Sequence, residues 1–271
     1  MRYLPTILAC LWLLQAPVCD SLLAAEPKAA PKIRLATYNV QFGKMASPEA
    51  VGQMFKKYDL DVIGFCEVPA GDWTSRVGKV LGLKHAYVGK LSSLNYKDKY
   101  KSILSRARLA NPREIPLLPR GSGWSVVAAQ TEIRGVPLSV YSLHTGGRSE
   151  GHQKHLAEKV LPKDAAANII MMGDFNAVLG QRRRKRWNGL MDPLTKFGMK
   201  ATWRDLGIDV DKHFTLSALE PTTSLRNYGV IDHILIGPKS RLRPVRGGII
   251  ELAKPLSDHK PVWVELELGD R

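Results

Sequence analysis

Apolar residues along this chain follow two rhythms, one of strand length and one of helical spacing. Residues 33–40 (Ile33-Arg34-Leu35-Ala36-Thr37-Tyr38-Asn39-Val40) predict a strand, and Val62 to Val68, apolar on both faces, predicts a buried one. Further strands are predicted at Ser125–Thr131, Leu138–Leu143, Ile169–Met172, Ile231–Ile236 and Pro261–Leu268. In the last of these Val262, Val264, Leu266 and Leu268 alternate with Trp263, Glu265 and Glu267, which gives the strand one wet face. The helical rhythm appears after Ser47-Pro48, a capping residue followed by a proline suited to the first helical turn. Val51, Met54, Phe55 and Tyr58 then share one face, and Leu156, Val160 and Leu161 do the same within residues 151–161. Many strands with few helices between them favour two packed sheets flanked by helices over a singly wound parallel sheet. No internal repeat or long linker interrupts residues 33–271, so they read as one domain.

The first residues break both rhythms. Arg2 precedes an almost uninterrupted apolar run from Leu4 to Val18, and small residues follow through Ala24-Ala25. That order reads as a secretory signal peptide over residues 1–25, and it implies a secreted or periplasmic protein. An uncleaved anchor is the alternative, although the 15-residue run is short for a membrane span of ~20. Lipid attachment at Cys19 is disfavoured, because Val18 stands where a small residue is wanted. Residues 26–32, rich in Ala, Pro and Lys, read as a flexible leader. Cleavage would leave Cys66 alone, expected to be a buried bystander, with neither a disulfide nor a zinc cluster within reach.

Composition narrows the class. With 271 residues, 44% apolar and 24% charged, the chain has an ordinary globular balance, which excludes a disordered tail or a multi-pass membrane protein. Forty Lys and Arg against 25 Asp and Glu leave a net charge of +15, which favours an anionic partner: nucleic acid, acidic membrane or phosphorylated small molecule. The charge does not choose among them.

Polar residues then interrupt the ends of the apolar strands. Asn39 closes the first strand and Glu67 the second; His144 follows Leu143, and Gly173-Asp174-Phe175-Asn176 follows Met172. Asp232-His233 lies inside an apolar run, and Ser257-Asp258-His259 precedes the last strand. Each has an ordinary reading as a turn former or solvated edge. Together they are complementary: carboxylates that can hold a hard cation, histidines that can move protons, an amide that can grip a phosphate.

In this order the motifs Thr37-Tyr38-Asn39-Val40, Phe65-Cys66-Glu67-Val68, Ser142-Leu143-His144, Gly173-Asp174-Phe175-Asn176, Ile231-Asp232-His233 and Ser257-Asp258-His259-Lys260-Pro261-Val262 resemble the endonuclease/exonuclease/phosphatase superfamily. That superfamily includes deoxyribonuclease I, exonuclease III-like repair enzymes, neutral sphingomyelinases and inositol polyphosphate 5-phosphatases. The stretch Ile103-Leu104-Ser105-Arg106 resembles a further family strand. The resemblance implies an α/β four-layer sandwich, with two packed, mostly antiparallel β-sheets flanked by helices and the active site at the strand ends. It implies Glu67 as principal ligand of a divalent cation (Mg²⁺, with Mn²⁺ or Ca²⁺ as alternatives), with Asn39 beside it and Asp258 assisting. It implies His259 as general base, oriented by Asp232, with Asp174 and Asn176 positioning the nucleophile and the phosphoryl oxygens. Mg²⁺ takes oxygen ligands and keeps several waters, so one or two carboxylates suffice.

Two departures from the family pattern bear on substrate. Gln41 stands where repair nucleases carry an acid, which weakens an abasic-site reading. His144 stands where they carry a tyrosine, which resembles the deoxyribonuclease I and sphingomyelinase branches and implies a general acid; Tyr141 is the substitute if the register differs. Residues 76–120 hold 11 Lys and Arg against only Asp98 and Glu114. Arg182, Arg183, Arg184, Lys185 and Arg186, followed by Trp187, begin eight residues past Asp174. They read either as a solvated loop or as a phosphate-tracking loop with Trp187 as a stacking surface. Trp73, Trp124 and Trp203 are expected in the core. The leading expectation is a monomeric, secreted, metal-dependent phosphodiesterase cutting DNA or RNA. The alternatives are action on phospholipid or inositol phosphate headgroups, for which Leu117-Leu118-Pro119 is the nearest membrane-docking candidate, and a catalytically silent binding domain.

Overall fold

The structure, a computed structural model, describes residues 30–118, 123–146, 150–179, 189–219 and 229–269. The signal segment and Arg182–Trp187 lie outside the described residues. Twelve strands among the described residues form two six-stranded sheets. They are β1 (Lys32–Asn39), β2 (Val62–Val68), β3 (His85–Val88), β4 (Tyr100–Ser105), β5 (Ala110–Pro116), β6 (Ser125–Ile133), β7 (Val136–His144), β8 (Ile169–Asp174), β9 (Lys200–Ala201), β10 (Asp232–Ile236), β11 (Leu242–Ile249) and β12 (Val262–Leu268). The first sheet runs β11-β12-β1-β2-β4-β3 and the second β5-β6-β7-β8-β10-β9. Each has one parallel pair at its centre, β1 with β2 and β7 with β8, and is otherwise antiparallel.

The helices are α1 (Pro48–Phe55), α2 (Trp73–Leu81), α3 (Glu150–His155), α4 (Asp192–Phe197) and α5 (Thr202–Asp205). Ser47 caps α1 as its sequence predicts, its hydroxyl accepting from the Ala50 amide at 3.2 Å. Side-chain alternation explains the layers. Ile33 and Leu35 of β1 and Val62 of β2 meet Val140, Ile170, Met172 and Ile234 of the other sheet. Ala36, Tyr38, Ile63 and Phe65 point the other way, toward Val51 and Phe55 of α1 and Val77 of α2. Tyr141 and Met171 cover the outer face of the second sheet, against Leu156 and Val160 beyond α3 and Leu194 of α4. The result is helix, sheet, sheet, helix: the expected four-layer sandwich.

Glycine sets the closest approaches. A Cβ on Gly64 would lie 2.6 Å from Met172 Cγ across the sheet interface, so the two sheets close tightly there. Gly173 has φ +146°, and a Cβ there would lie 2.0 Å from the Leu143 carbonyl oxygen. Gly173→Ala is therefore expected to destabilise by more than about 2 kcal/mol, read by chemical denaturation. A cost below 0.5 kcal/mol would show that the β7–β8 contact has slack.

Candidate active site

The topology gathers the polar strand ends. In the parallel pair β1–β2, Asn39 lies opposite Cys66, next to Glu67; in β7–β8, His144 lies opposite Asp174. Because β10 runs antiparallel to β8, its first residue Asp232 also pairs with Asp174. Antiparallel pairing of β12 with β1 sets Val262 opposite Thr37, so His259 enters at the same end. The Cys66 thiol, buried as expected, donates to the Leu143 carbonyl at 2.9 Å and ties the two sheets together beneath the site.

One continuous network results. Glu67 Oε1 lies 3.8 Å from His144 Nδ1, and His144 Nε2 lies 3.4 Å from Asp174 Oδ2. The same oxygen accepts from the Asn39 amide at 3.1 Å and stands 3.8 Å from His259 Nε2. His259 Nδ1 bonds Asp232 Oδ2 at 2.9 Å. Asn176 donates its backbone N–H to Asp174 Oδ1 and its side-chain amide to the Thr145 carbonyl. Asp258 accepts from the Gln41 amide at 3.0 Å, and the Gln41 backbone N–H returns to Asn39 Oδ1. The eight residues to which the resemblance assigns catalytic or metal roles thus share one network, whereas His233 turns away to the Trp203 indole and the Ala177 carbonyl. Tyr141 is not at the site; its hydroxyl is bonded to Asp164 on the outer face.

Electrostatics assign protonation states. Burial would push the His259 imidazole down, but Asp232, bonded to it, together with Asp174 and Asp258, outweighs burial and lifts it to about 10. Burial, and then the charge of Asp232, raise the Asp174 carboxyl to about 7. His144 is held well below the usual histidine range by burial and by Lys101, Lys99 and His259. At neutral pH one ring is cationic and the other neutral, so the neutral one offers an N–H rather than a charge.

The donors suit a hard divalent cation. Asp174, Asp232 and His259 present ligand atoms within 4.8 Å of one another, and Asp232 Oδ1 lacks a hydrogen-bond partner among the described residues. Glu67 and Asn39 add oxygens at the other end of the network.

Three participants escaped the sequence reading. Lys99 Nζ pairs with Glu67 Oε1 at 3.1 Å. Gln41, noted only as a missing acid, is the hydrogen-bond donor to Asp258; an acid there would repel it. Trp124 corrects an expectation: Trp73 and Trp203 are buried, but Trp124 is half-buried, edge-on to His144 with ring centroids 4.9 Å apart. It sits just before β6, whose Ser125 pairs with His144, so register brings it to the site rim. Its local sequence carries no signal of this.

Both raised groups hold more protons folded than unfolded. Their contribution to the stability of the metal-free chain is therefore expected to fall as pH rises, through the Asp174 window (about 4 to about 7) and then the His259 window (about 6.5 to about 10), while the depressed His144 contributes in the opposite sense up to about 6.5. Below each window that group's contribution is fully present. Asp232→Asn should remove most of the upper phase, read by denaturation in excess chelator across pH; an unchanged upper phase would show that Asp232 does not hold the imidazolium.

Comparison with known proteins agrees with this architecture. The Endonuclease/Exonuclease/phosphatase family profile matches residues 36–259. No curated protein matches the sequence. A solved endonuclease/exonuclease/phosphatase from Beutenbergia cavernae superposes with TM-score 0.70 at 18% identity, covering 88% of this chain and 72% of that one. Danio rerio TDP2 complexed with a single-strand DNA product gives TM-score 0.65 at 15% identity, covering 87% and 99%. A mannosyl-6-phosphatase from Bacteroides thetaiotaomicron gives 0.66 at 18% identity, covering 86% and 99%. These likenesses establish the fold. With a profile spanning most of its length and every strand-end motif converging at one site, the chain belongs to the endonuclease/exonuclease/phosphatase family of divalent-metal-dependent phosphoesterase hydrolases.

Proposed function

We propose that this chain is an exported Mg²⁺-dependent phosphodiesterase acting on nucleic acid as a monomer. The observation that carries the chemical part is the unbroken network from Glu67 through His144 and Asp174 to the His259–Asp232 pair. Glu67 and Asn39, with Asp258 nearby, would hold the cation. Bound there, it would neutralise charge building on the phosphoryl group.

The remaining roles belong to the chain's own side chains. Asp232 fixes the orientation of the His259 ring through Nδ1, so that Nε2 faces Asp174 and the reaction space. As an imidazolium, His259 binds a phosphoryl oxygen; to act as base it must first lose the electrostatic support of the surrounding carboxylates. Asp174, lifted into the neutral range, is able to accept a proton from attacking water. The neutral His144 ring offers a hydrogen bond to the leaving oxygen. Asn176, fixed by Thr145 and Asp174, orients the phosphate.

The net charge of +15 supports a polyanionic substrate. Not all of the basic cluster in residues 76–120 is free for it: Arg76 pairs with Glu49, Arg106 with Asp59 and Asp61, and Lys101 is fully buried. Among the solved neighbours, TDP2 is complexed with a single-strand DNA product and another is a mannosyl-6-phosphatase, so the likeness supports a phosphoester substrate without choosing its class. One observation favours the lipid reading. Leu91, Leu94 and Tyr96 are exposed along one loop and Leu118 is exposed as well, a more substantial apolar surface than the sequence suggested.

Supercoiled plasmid, RNA, sphingomyelin and inositol polyphosphates, each with Mg²⁺ or chelator, discriminate these readings. Glu67→Gln is expected to preserve the fold and to reduce turnover by orders of magnitude; wild-type turnover in excess chelator would sink the metal reading. Replacing Arg182, Arg183, Arg184, Lys185 and Arg186 together by Ala should weaken plasmid cleavage. It should also flatten its log–log salt dependence by ~0.9 per lost phosphate contact. Hydrolysis of bis(p-nitrophenyl) phosphate should stay near the wild-type rate, and an unchanged plasmid salt slope would remove this loop from the argument.

A further inference from the structure

Glu67 stands in an unusual setting. Its backbone is left-handed, with φ +53°, where the β2–β4 register slips between Phe65 and Val68. The slip turns the carboxylate into the site, where the side chain keeps only 10% of its exposure. The group it meets there is the ammonium of Lys99, whose Nζ lies 3.1 Å away and makes its one hydrogen bond among the described residues to Glu67. The same ammonium stands 4.6 Å from the centre of the Phe42 ring and 5.3 Å from that of Tyr96. These contacts can steady a cation without fixing it, because ring faces tolerate sliding where carbonyl oxygens do not.

Lys101, two residues on, shows the contrast. Its ammonium is fully buried and donates to the carbonyls of Leu91 and Gly123 and to the Ser93 hydroxyl, with Glu114 at 3.9 Å. That lysine is locked into the fold. Lys99 sits at the mouth, 13% exposed, before β4 begins at Tyr100, so its side chain can swing without disturbing the strand. A lysine is a flexible point charge suited to a phosphate oxygen.

We infer that Lys99 is the resident counter-ion of Glu67, competing with the divalent cation for that carboxylate and, once displaced, pairing with the phosphoryl group of the substrate. A cation and an ammonium cannot both sit against one Glu67 oxygen pair without strong repulsion at this depth. Metal uptake by the free protein is therefore opposed by a built-in competitor. The opposition eases when a phosphate gives the ammonium a second partner. Metal and phosphate then bind with positive coupling, and by linkage each strengthens the other.

The inference rests on the metal-dependent reading of this site, and the test separates the two. Mn²⁺ binding to the full chain is measured by titration calorimetry, with and without inorganic phosphate, in the wild type, Lys99→Met, Lys99→Arg and Glu67→Gln. Lys99→Met keeps the apolar stem against Phe42 and Tyr96. It is expected to bind Mn²⁺ about tenfold or more tightly than the wild type in the absence of phosphate. Lys99→Arg should remain near the wild type, and Glu67→Gln should lose tight binding. Phosphate should tighten Mn²⁺ binding to the wild type and do so clearly less for Lys99→Met. Thermal denaturation in chelator checks folding, with Lys99→Gln as the second uncharged variant if Lys99→Met fails to fold. Equal or weaker Mn²⁺ binding by the uncharged variants would overturn the competition while leaving the metal reading intact. Equal phosphate enhancement in the wild type and Lys99→Met would overturn the transfer to phosphate. Absence of Mn²⁺ binding in every variant would sink the metal reading itself, and the inference with it.

Discussion

The carboxylate of Asp174 is buried where the two sheets meet, and most of the site is a response to its charge. An ionised carboxylate out of water is costly unless it is paired and hydrogen-bonded. Here the Asn39 amide arrives from the first sheet, and the Asn176 N–H from the turn that follows β8. The His259 imidazolium completes the pairing from the segment before β12. Even so the group is left with its carboxyl raised to about 7, because burial, and then the charge of Asp232 beside it, outweigh these partners. Fully satisfied, Asp174 would be an inert structural anchor. Partly satisfied, it is a carboxylate poised to exchange a proton or accept a cation.

That position exists because each sheet has a single parallel pair and the two pairs end at the same edge. Parallel neighbours put two carboxyl-terminal ends side by side, which a purely antiparallel sheet does not do. The backbone is bent to use this edge. Glu67, Gln41, Phe42 and Asn176 all take positive φ although none is glycine. Such conformations cost of order 1–3 kcal/mol each, and they persist where surrounding structure over-determines them. Here they aim the side chains of Glu67 and Asn176 into the network, and they place Gln41 to bond both Asn39 and Asp258.

What could be read from the sequence follows the same physics. The strands predicted from the residues and the one suggested by the family resemblance, Ile103–Arg106, are the interior strands of the two sheets. The unforeseen ones, β3, β5, β9 and β11, are the four edges. An interior strand buried on both faces announces itself by unbroken apolar residues. An edge such as β5, with Asn111, Pro112, Arg113 and Glu114, or β11, with Arg243, Arg246 and two glycines, carries the polar residues that protect it from further pairing. The strand-end polar residues were legible because they interrupt apolar runs. Lys99 was not, because one lysine among the basic residues of 76–120 carries no mark of its partner. Trp124 was misread because an aromatic next to a strand ordinarily packs inward, and only the pairing of Ser125 with His144 brings it to the rim.

The charge of the molecule and the charge of its site point in opposite directions. Over the whole chain the surplus is +15, yet Glu67, Asp174, Asp232 and Asp258 converge within one network, countered by His259 and Lys99. A surplus of basic charge draws a phosphate ester in from solution at long range. At contact distance, in lower dielectric, the carboxylates dominate and would repel the same phosphate. A divalent cation resolves the conflict, since it is attracted by the acidic interior and reverses the local sign for an arriving anion. Metal dependence in this chain is thus a consequence of where the acids are buried. On the proposed function, a variant that removed those acids would repel a metal-free phosphate less and hydrolyse it less, because the groups that repel the ground state would be those that orient water and hold the ion.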